Sequence, residues 1–98
     1  MKIDIEKFLK HVNSENPIPT GTEIYDFMVK LSHEAMRITA ELNSSYHTPE
    51  EIRDIFTQLT GREIDSTFSI FPPFYTDCGK NIHIGKNVFI NTCCHFQD

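Results

Sequence analysis

The sequence predicts an α+β chain in which N-terminal helices give way to the first coil of a short-period parallel β-solenoid. Three observations predict it. Apolar residues recur at helical spacing over three stretches before Gly61, β-favouring residues broken by paired prolines follow, and from Cys78 an apolar residue returns every six positions. These boundaries divide the chain into a helical region, 1–61, an extended Pro/aromatic connector, 62–77, and the repeat, 78–98.

The first helix is carried by Ile5, Phe8, Leu9 and Val12, which share one face at spacings of three and four. Asn16, Pro17, Pro19 and Gly21 end it and form a turn-rich linker. In the second helix, Ile24, Met28, Leu31, Ala35, Ile38 and Leu42 form a longer stripe, with Thr22 as N-cap and Asn43 as C-terminal stop. Too few heptads are present for a coiled coil, so the stripe reads as core-facing. Thr48, Pro49, Glu50 and Glu51 open the third helix. A hydroxyl cap, proline at the first helical position and glutamate three residues after the cap form a capping box. Ile52, Ile55, Phe56 and Leu59 give its buried stripe, and Gly61 can close it in the left-handed conformation.

Beyond Gly61, Phe68, Ile70, Phe71, Phe74 and Tyr75 favour extended chain, interrupted by Pro72 and Pro73. Written in sixes from Cys78, Cys78, Ile84, Ile90 and Phe96 occupy one register and Ile82, Val88 and Cys94 another, four residues on. A triangular coil of three short strands needs an inward apolar residue once per face, and period six supplies it. Gly-Lys-Asn recurs at residues 79–81 and 85–87, placing at the corners residues that tolerate positive φ. The competing reading is a β-hairpin with strands at 82–84 and 88–90 joined by Gly85, Lys86 and Asn87. The in-phase repetition favours the solenoid.

Residues 72–87 read Pro-Pro-Phe-Tyr-Thr-Asp-Cys-Gly-Lys-Asn-Ile-His-Ile-Gly-Lys-Asn and are followed by Asn91 and Asp98. This segment resembles the maltose and galactoside O-acetyltransferases, a family of hexapeptide-repeat acyltransferases. The resemblance is close over residues 71–98 and faint over 24–61. It implies a left-handed parallel β-helix, transfer of an acetyl group from acetyl-CoA to a sugar hydroxyl, and a homotrimer with active sites between neighbouring β-helices. It implies too that the N-terminal helices help to cover the acceptor pocket. Positions matching Asp77 and Asn91 line that pocket in relatives. Asp98 matches an acidic position on the same coil, although in some relatives the working carboxylate is the next residue. Asp26 lies near a helix-borne aspartate used by some relatives, but its spacing to Asn43 is shorter here.

The family's general base is a histidine on a later coil, where most CoA contacts also lie, so the resemblance supplies no catalytic residue among these 98. His83 and His95 do not match that histidine and read as solvent-facing. Residues 78–98 complete barely one coil of three hexapeptides, whereas solenoids need about three units for stability. The expectation is an N-terminal portion of a longer enzyme, inactive by itself.

Composition narrows the alternatives. Fourteen acidic against nine basic residues give a net charge of −5 with no basic cluster, which argues against nucleic acid. No apolar run reaches the ~20 residues of a membrane span, and the charged start is not that of a signal peptide, so a cytoplasmic home is expected. Cys78, Cys93 and Cys94 are an odd set with two adjacent, unsuited to a disulfide framework. Together with His83 and His95 they invite zinc, but the spacing departs from paired ligands two to four residues apart, and no metal site is expected. No cysteine has a neighbouring base identifiable in sequence, and Gly79 and Gly85 lack phosphate-loop spacing. The rival function is a non-catalytic interaction module in which the 24–42 stripe binds a partner helix.

Overall fold

A computed structural model describes residues 3–98. Three helices come first: α1 (Ile5–Asn13), α2 (Glu23–Ser44) and α3 (Pro49–Thr60). Four short strands follow: β1 (Ser69–Ile70), β2 (Phe74–Thr76), β3 (Phe89–Ile90) and β4 (Cys94–Phe96).

Each helix begins on a side-chain cap. Asp4 Oδ1 accepts from the Lys7 amide at 2.8 Å, and Thr22 Oγ1 from the Tyr25 amide at 3.3 Å. At α3 the capping box closes both ways: Thr48 Oγ1 accepts from Glu51 N at 3.2 Å, and Glu51 Oε1 accepts from Thr48 N at 2.8 Å. The amide and hydroxyl of Thr48, both donating to it, hold the Glu51 carboxyl below its ordinary value. Gly61 ends α3 in the left-handed conformation with φ 70°. Lys80 Nζ completes that end by donating to Gln58 O at 3.0 Å and Leu59 O at 2.8 Å while pairing with Glu34 at 3.2 Å.

The strands pair in parallel, β1 with β3 and β2 with β4, and both pairs carry the same offset of 20 residues: Ser69 lies beside Phe89 and Phe74 beside Cys94. The competing hairpin is not formed. Residues 82–84 are not a strand, and β3 is hydrogen-bonded to β1 instead. The connector 62–77 therefore contains both partner strands. Inward positions follow the six-residue register: Cys78, Ile82 and Ile90 are buried and Ile84, Val88, Cys94 and Phe96 half-buried, while His83, Phe89 and His95 between them are exposed. Of the corner residues, Gly79 and Asn87 adopt positive φ, 85° and 59°, as does Cys93 at 62°.

The main core lies between α2, α3 and the strands. Ala35, Ile38, Leu42, Phe56, Leu59 and Phe74 have no exposed surface. Phe56 links its parts, with its ring 4.9 Å from that of Phe68 and 5.1 Å from that of Phe74, which in turn meets Phe96 at 5.1 Å. A second, smaller cluster of Phe8, Leu31 and Cys78 seats α1 against α2.

Asn43, the expected helix stop, does something else. The helix continues to Ser44, and the Asn43 amide reaches across to β2: Nδ2 donates to Phe74 O and Oδ1 accepts from Phe74 N, both at 2.9 Å. A side chain thus supplies what a neighbouring strand would. Asn43→Ala leaves both backbone groups of Phe74 without these partners and is expected to lower stability by about 2–4 kcal/mol, read by urea unfolding. Gly79 is a second sensitive point, because a Cβ there would lie 2.7 Å from Leu59 Cγ and Cδ1 and 3.0 Å from Leu59 O. Gly79→Ala should cost about 2–4 kcal/mol through strain and overpacking. Gly85→Ala, with nothing within 4 Å, should stay within about 0.5 kcal/mol of the parent in the same assay.

Candidate functional site

Of the three residues expected in an acceptor pocket, Asp77 directly follows β2, and Asp98, beyond β4, packs its carboxylate against the turn that comes next. Along β2 the side chains alternate, with Phe74 and Thr76 buried and Tyr75 exposed. Asp77 continues this alternation outward and Cys78 inward. The turn at residues 78–81 is organised by Asp98. Its Oδ1 accepts from the Thr76 hydroxyl at 2.7 Å, Cys78 N at 3.1 Å and Gly79 N at 3.0 Å, and its Oδ2 accepts from Asn81 N at 3.0 Å. Asn81 also exchanges two amide hydrogen bonds with Asn13, at 2.8 and 3.2 Å, which ties α1 to this turn.

Burial acts to raise the Asp98 carboxyl, but hydrogen bonds from Gly79, Thr76, Asn81 and Cys78 outweigh it and hold the group below its ordinary value. Burial pushes the neighbouring Cys78 thiol up, away from nucleophilic chemistry. All three cysteines are free thiols. Among the described residues, no three His, Cys, Asp or Glu side chains gather where they could hold a metal ion.

A cleft of about 410 Å³ opens between this turn and the helices. Thr76, Asp77, Cys78 and Asp98 form one wall; Phe8 and Val12 of α1, Ile18, and Met28, Ser32 and Met36 of α2 form the other. The structure therefore brings Asp77 and Asp98 together. Asn91 is not on the cleft wall. It is exposed in the turn between β3 and β4, where its Oδ1 accepts from Thr92 N at 2.8 Å. Asp26 is exposed in the first turn of α2 and is likewise off the wall.

One partner escaped sequence reasoning. His95 Nε2 lies 3.1 Å from Asp77 Oδ1, and both side chains are about half exposed, at 53% and 52%. His95 was expected to face solvent, and it does. Its pairing with Asp77 follows from the 20-residue offset, which seats His95 beside Tyr75 and hence diagonal to Asp77. The six-residue period does not contain that number.

The Asp98 assignment has a pH signature. A carboxyl depressed in the folded state contributes stability that is present above its ordinary value, 3.8, and is lost as pH falls through the lower folded-state value. Asp98→Asn removes that contribution and turns an amide toward Asn81 N–H. The variant should be about 1–3 kcal/mol less stable near neutrality. The gap should narrow as pH drops below about 4. Urea midpoints for both proteins from pH 2 to 7 check this, and a gap unchanged over that range would contradict it. Glu51 and Asp65, also held low, act equally in both proteins and cancel.

No family model matches the chain. Curated proteins do. A Staphylococcus haemolyticus (strain JCSC1435) protein is 46% identical over 44 residues, covering 45% of this chain and 22% of its own length. One from Staphylococcus aureus (strain COL) is 36% identical over 73 residues, covering 74% and 36%, and one from strain Mu50 is 40% identical over 65 residues, covering 65% and 32%. Each carries a provisional acetyltransferase name with no acceptor in it. The chain spans 22% to 36% of the length of these relatives. Over the matched residues, then, this chain is similar to proteins that carry acetyltransferase names.

Proposed function

We infer that this chain forms the acceptor-binding part of an acetyl-CoA-dependent sugar O-acetyltransferase. The observation that carries the reading is the cleft in which Asp77 and Asp98, two positions implied by resemblance to line an acceptor pocket, meet α1 and α2. The resemblance gives the helices the role of covering that pocket. The two parallel pairs with a common 20-residue offset support a further step, in which residues 69–98 start a parallel β-helix; its left hand and a homotrimeric assembly are what the resemblance implies.

In this reading acetyl-CoA supplies the acetyl group and the chain's own residues bind and orient the sugar. Asp77 accepts a hydrogen bond from an acceptor hydroxyl, and Asp98 holds the turn that presents Asp77. Asn91 lies off the cleft in this chain and would join the site through a neighbouring subunit. Attack on the thioester needs a base within hydrogen-bond reach of the hydroxyl, and no residue matching the family's catalytic histidine is present among these 98. The isolated chain should therefore bind sugar without turning over acetyl-CoA.

The rival reading, a helix-binding module, requires a free stripe on α2. That stripe is spent on the chain's own core, where Ala35, Ile38 and Leu42 are fully buried.

The test is a titration of the ¹⁵N-labelled chain with maltose and with methyl β-galactopyranoside. Shifts should concentrate at residues 76–79 and along the Met28, Ser32 and Met36 face. Asp77→Ala should weaken binding about tenfold or more, the scale of a hydrogen bond to a charged group. Shifts confined to other surfaces, or acetyl transfer by the isolated chain, would overturn the assignment.

A further inference from the structure

The pair formed by Asp77 and His95 lies outside the roles above, and the resemblance assigns His95 none. Both residues stand on the outer face of the β2 and β4 pair. Tyr75 shares that face, its ring centroid 6.4 Å from the imidazole and inclined at 65°. The contact joins Asp77 Oδ1 to His95 Nε2 at 3.1 Å.

We propose that His95 is the positioning residue for Asp77 in the acceptor cleft and that through it acceptor binding responds to pH. This rests on the reading of Asp77 as a ligand for the acceptor. A half-exposed carboxylate at a strand end is free to rotate, and an imidazole N–H on Oδ1 removes much of that freedom while leaving Oδ2 for a hydroxyl. An imidazole has a neutral and a cationic form, and the two present differently to the carboxylate. When neutral it donates one hydrogen bond and leaves the carboxylate charge intact. When protonated it forms an ion pair, and the carboxylate has less to offer a hydroxyl.

The surroundings contain little to compete. The other titratable groups on the cleft wall are Cys78 and Asp98. The Asp98 carboxylate is turned into the 78–81 turn, where four donors engage it. From β2, Tyr75 faces the imidazole through its ring. The walls contributed by α1 and α2 are apolar apart from the Ser32 hydroxyl.

The experiment follows maltose and methyl β-galactopyranoside binding by ¹⁵N chemical shift at pH 8 and pH 5.5 in three proteins. The parent should bind about two- to fivefold more weakly at the lower pH, the range of an exposed ion pair. His95→Gln keeps a donor near the position of Nε2 but does not titrate, so it should match the parent at pH 8 and lose the pH dependence. His95→Ala should bind more weakly at both pH values with unchanged dispersion of the spectrum. Parent-like binding by His95→Ala, or a pH dependence surviving in His95→Gln, overturns the proposal while leaving the acceptor site standing. Failure of the parent to bind either sugar removes the acceptor reading of Asp77 and the proposal with it.

Discussion

The amide of Asn43 against the backbone of Phe74 is the contact on which the arrangement of the strands depends. Strands of two and three residues have too few ladder bonds to hold position alone, and two-stranded pairs are marginal in water. β2 has β4 on one side. On the other, α2 offers one side chain with a donor and an acceptor at the spacing of a peptide group, and both are used at 2.9 Å. The Phe74 ring fills the space between Phe56 and Phe96. Backbone and side chain of one residue are thereby fixed to α2, α3 and β4 together. Everything downstream inherits that position: Thr76 points inward to Asp98, and Asp77 points outward to His95.

Local chemistry made the helical half legible. The Thr48 and Glu51 capping box, Gly61 and the stripes of α2 and α3 all act over three or four residues, and their physical effect is complete within one helical turn. The burial pattern of residues 78–96 was legible as well, since it depends only on the six-residue period. Strand pairing was not. β1 and β2 lie in a stretch where Pro72 and Pro73 dominate the pattern, and their partners stand 20 residues away, a relation no local rule encodes. Asn43 stands one residue before the end of α2, where a stop was expected, but the recruitment of its amide across to β2 is a tertiary relation that no local rule encodes. The separation of Asn91 from Asp77 and Asp98 was beyond sequence as well. A position inherited by resemblance fixes a place along a coil, not the cleft onto which that coil opens in this chain.

The two carboxylates of the cleft divide its work because of their hydrogen-bond inventories. An ionised carboxylate has about four acceptor sites. Asp98 commits its oxygens to one hydroxyl and three amides, all within the fold. Withdrawing it to bind a ligand would leave the Cys78, Gly79 and Asn81 amides unpaired at a turn that already contains a left-handed glycine pressed against Leu59. Its charge is therefore structural currency, stabilised where it is and depressed in pKa as a consequence. Asp77 has the opposite balance: one imidazole contact, half its side-chain surface open to solvent, and a place on the cleft lining. Residue type treats the two aspartates alike. Their partners do not, and a ligand arriving from the cleft meets one carboxylate free to respond and another whose role is to hold the first in place.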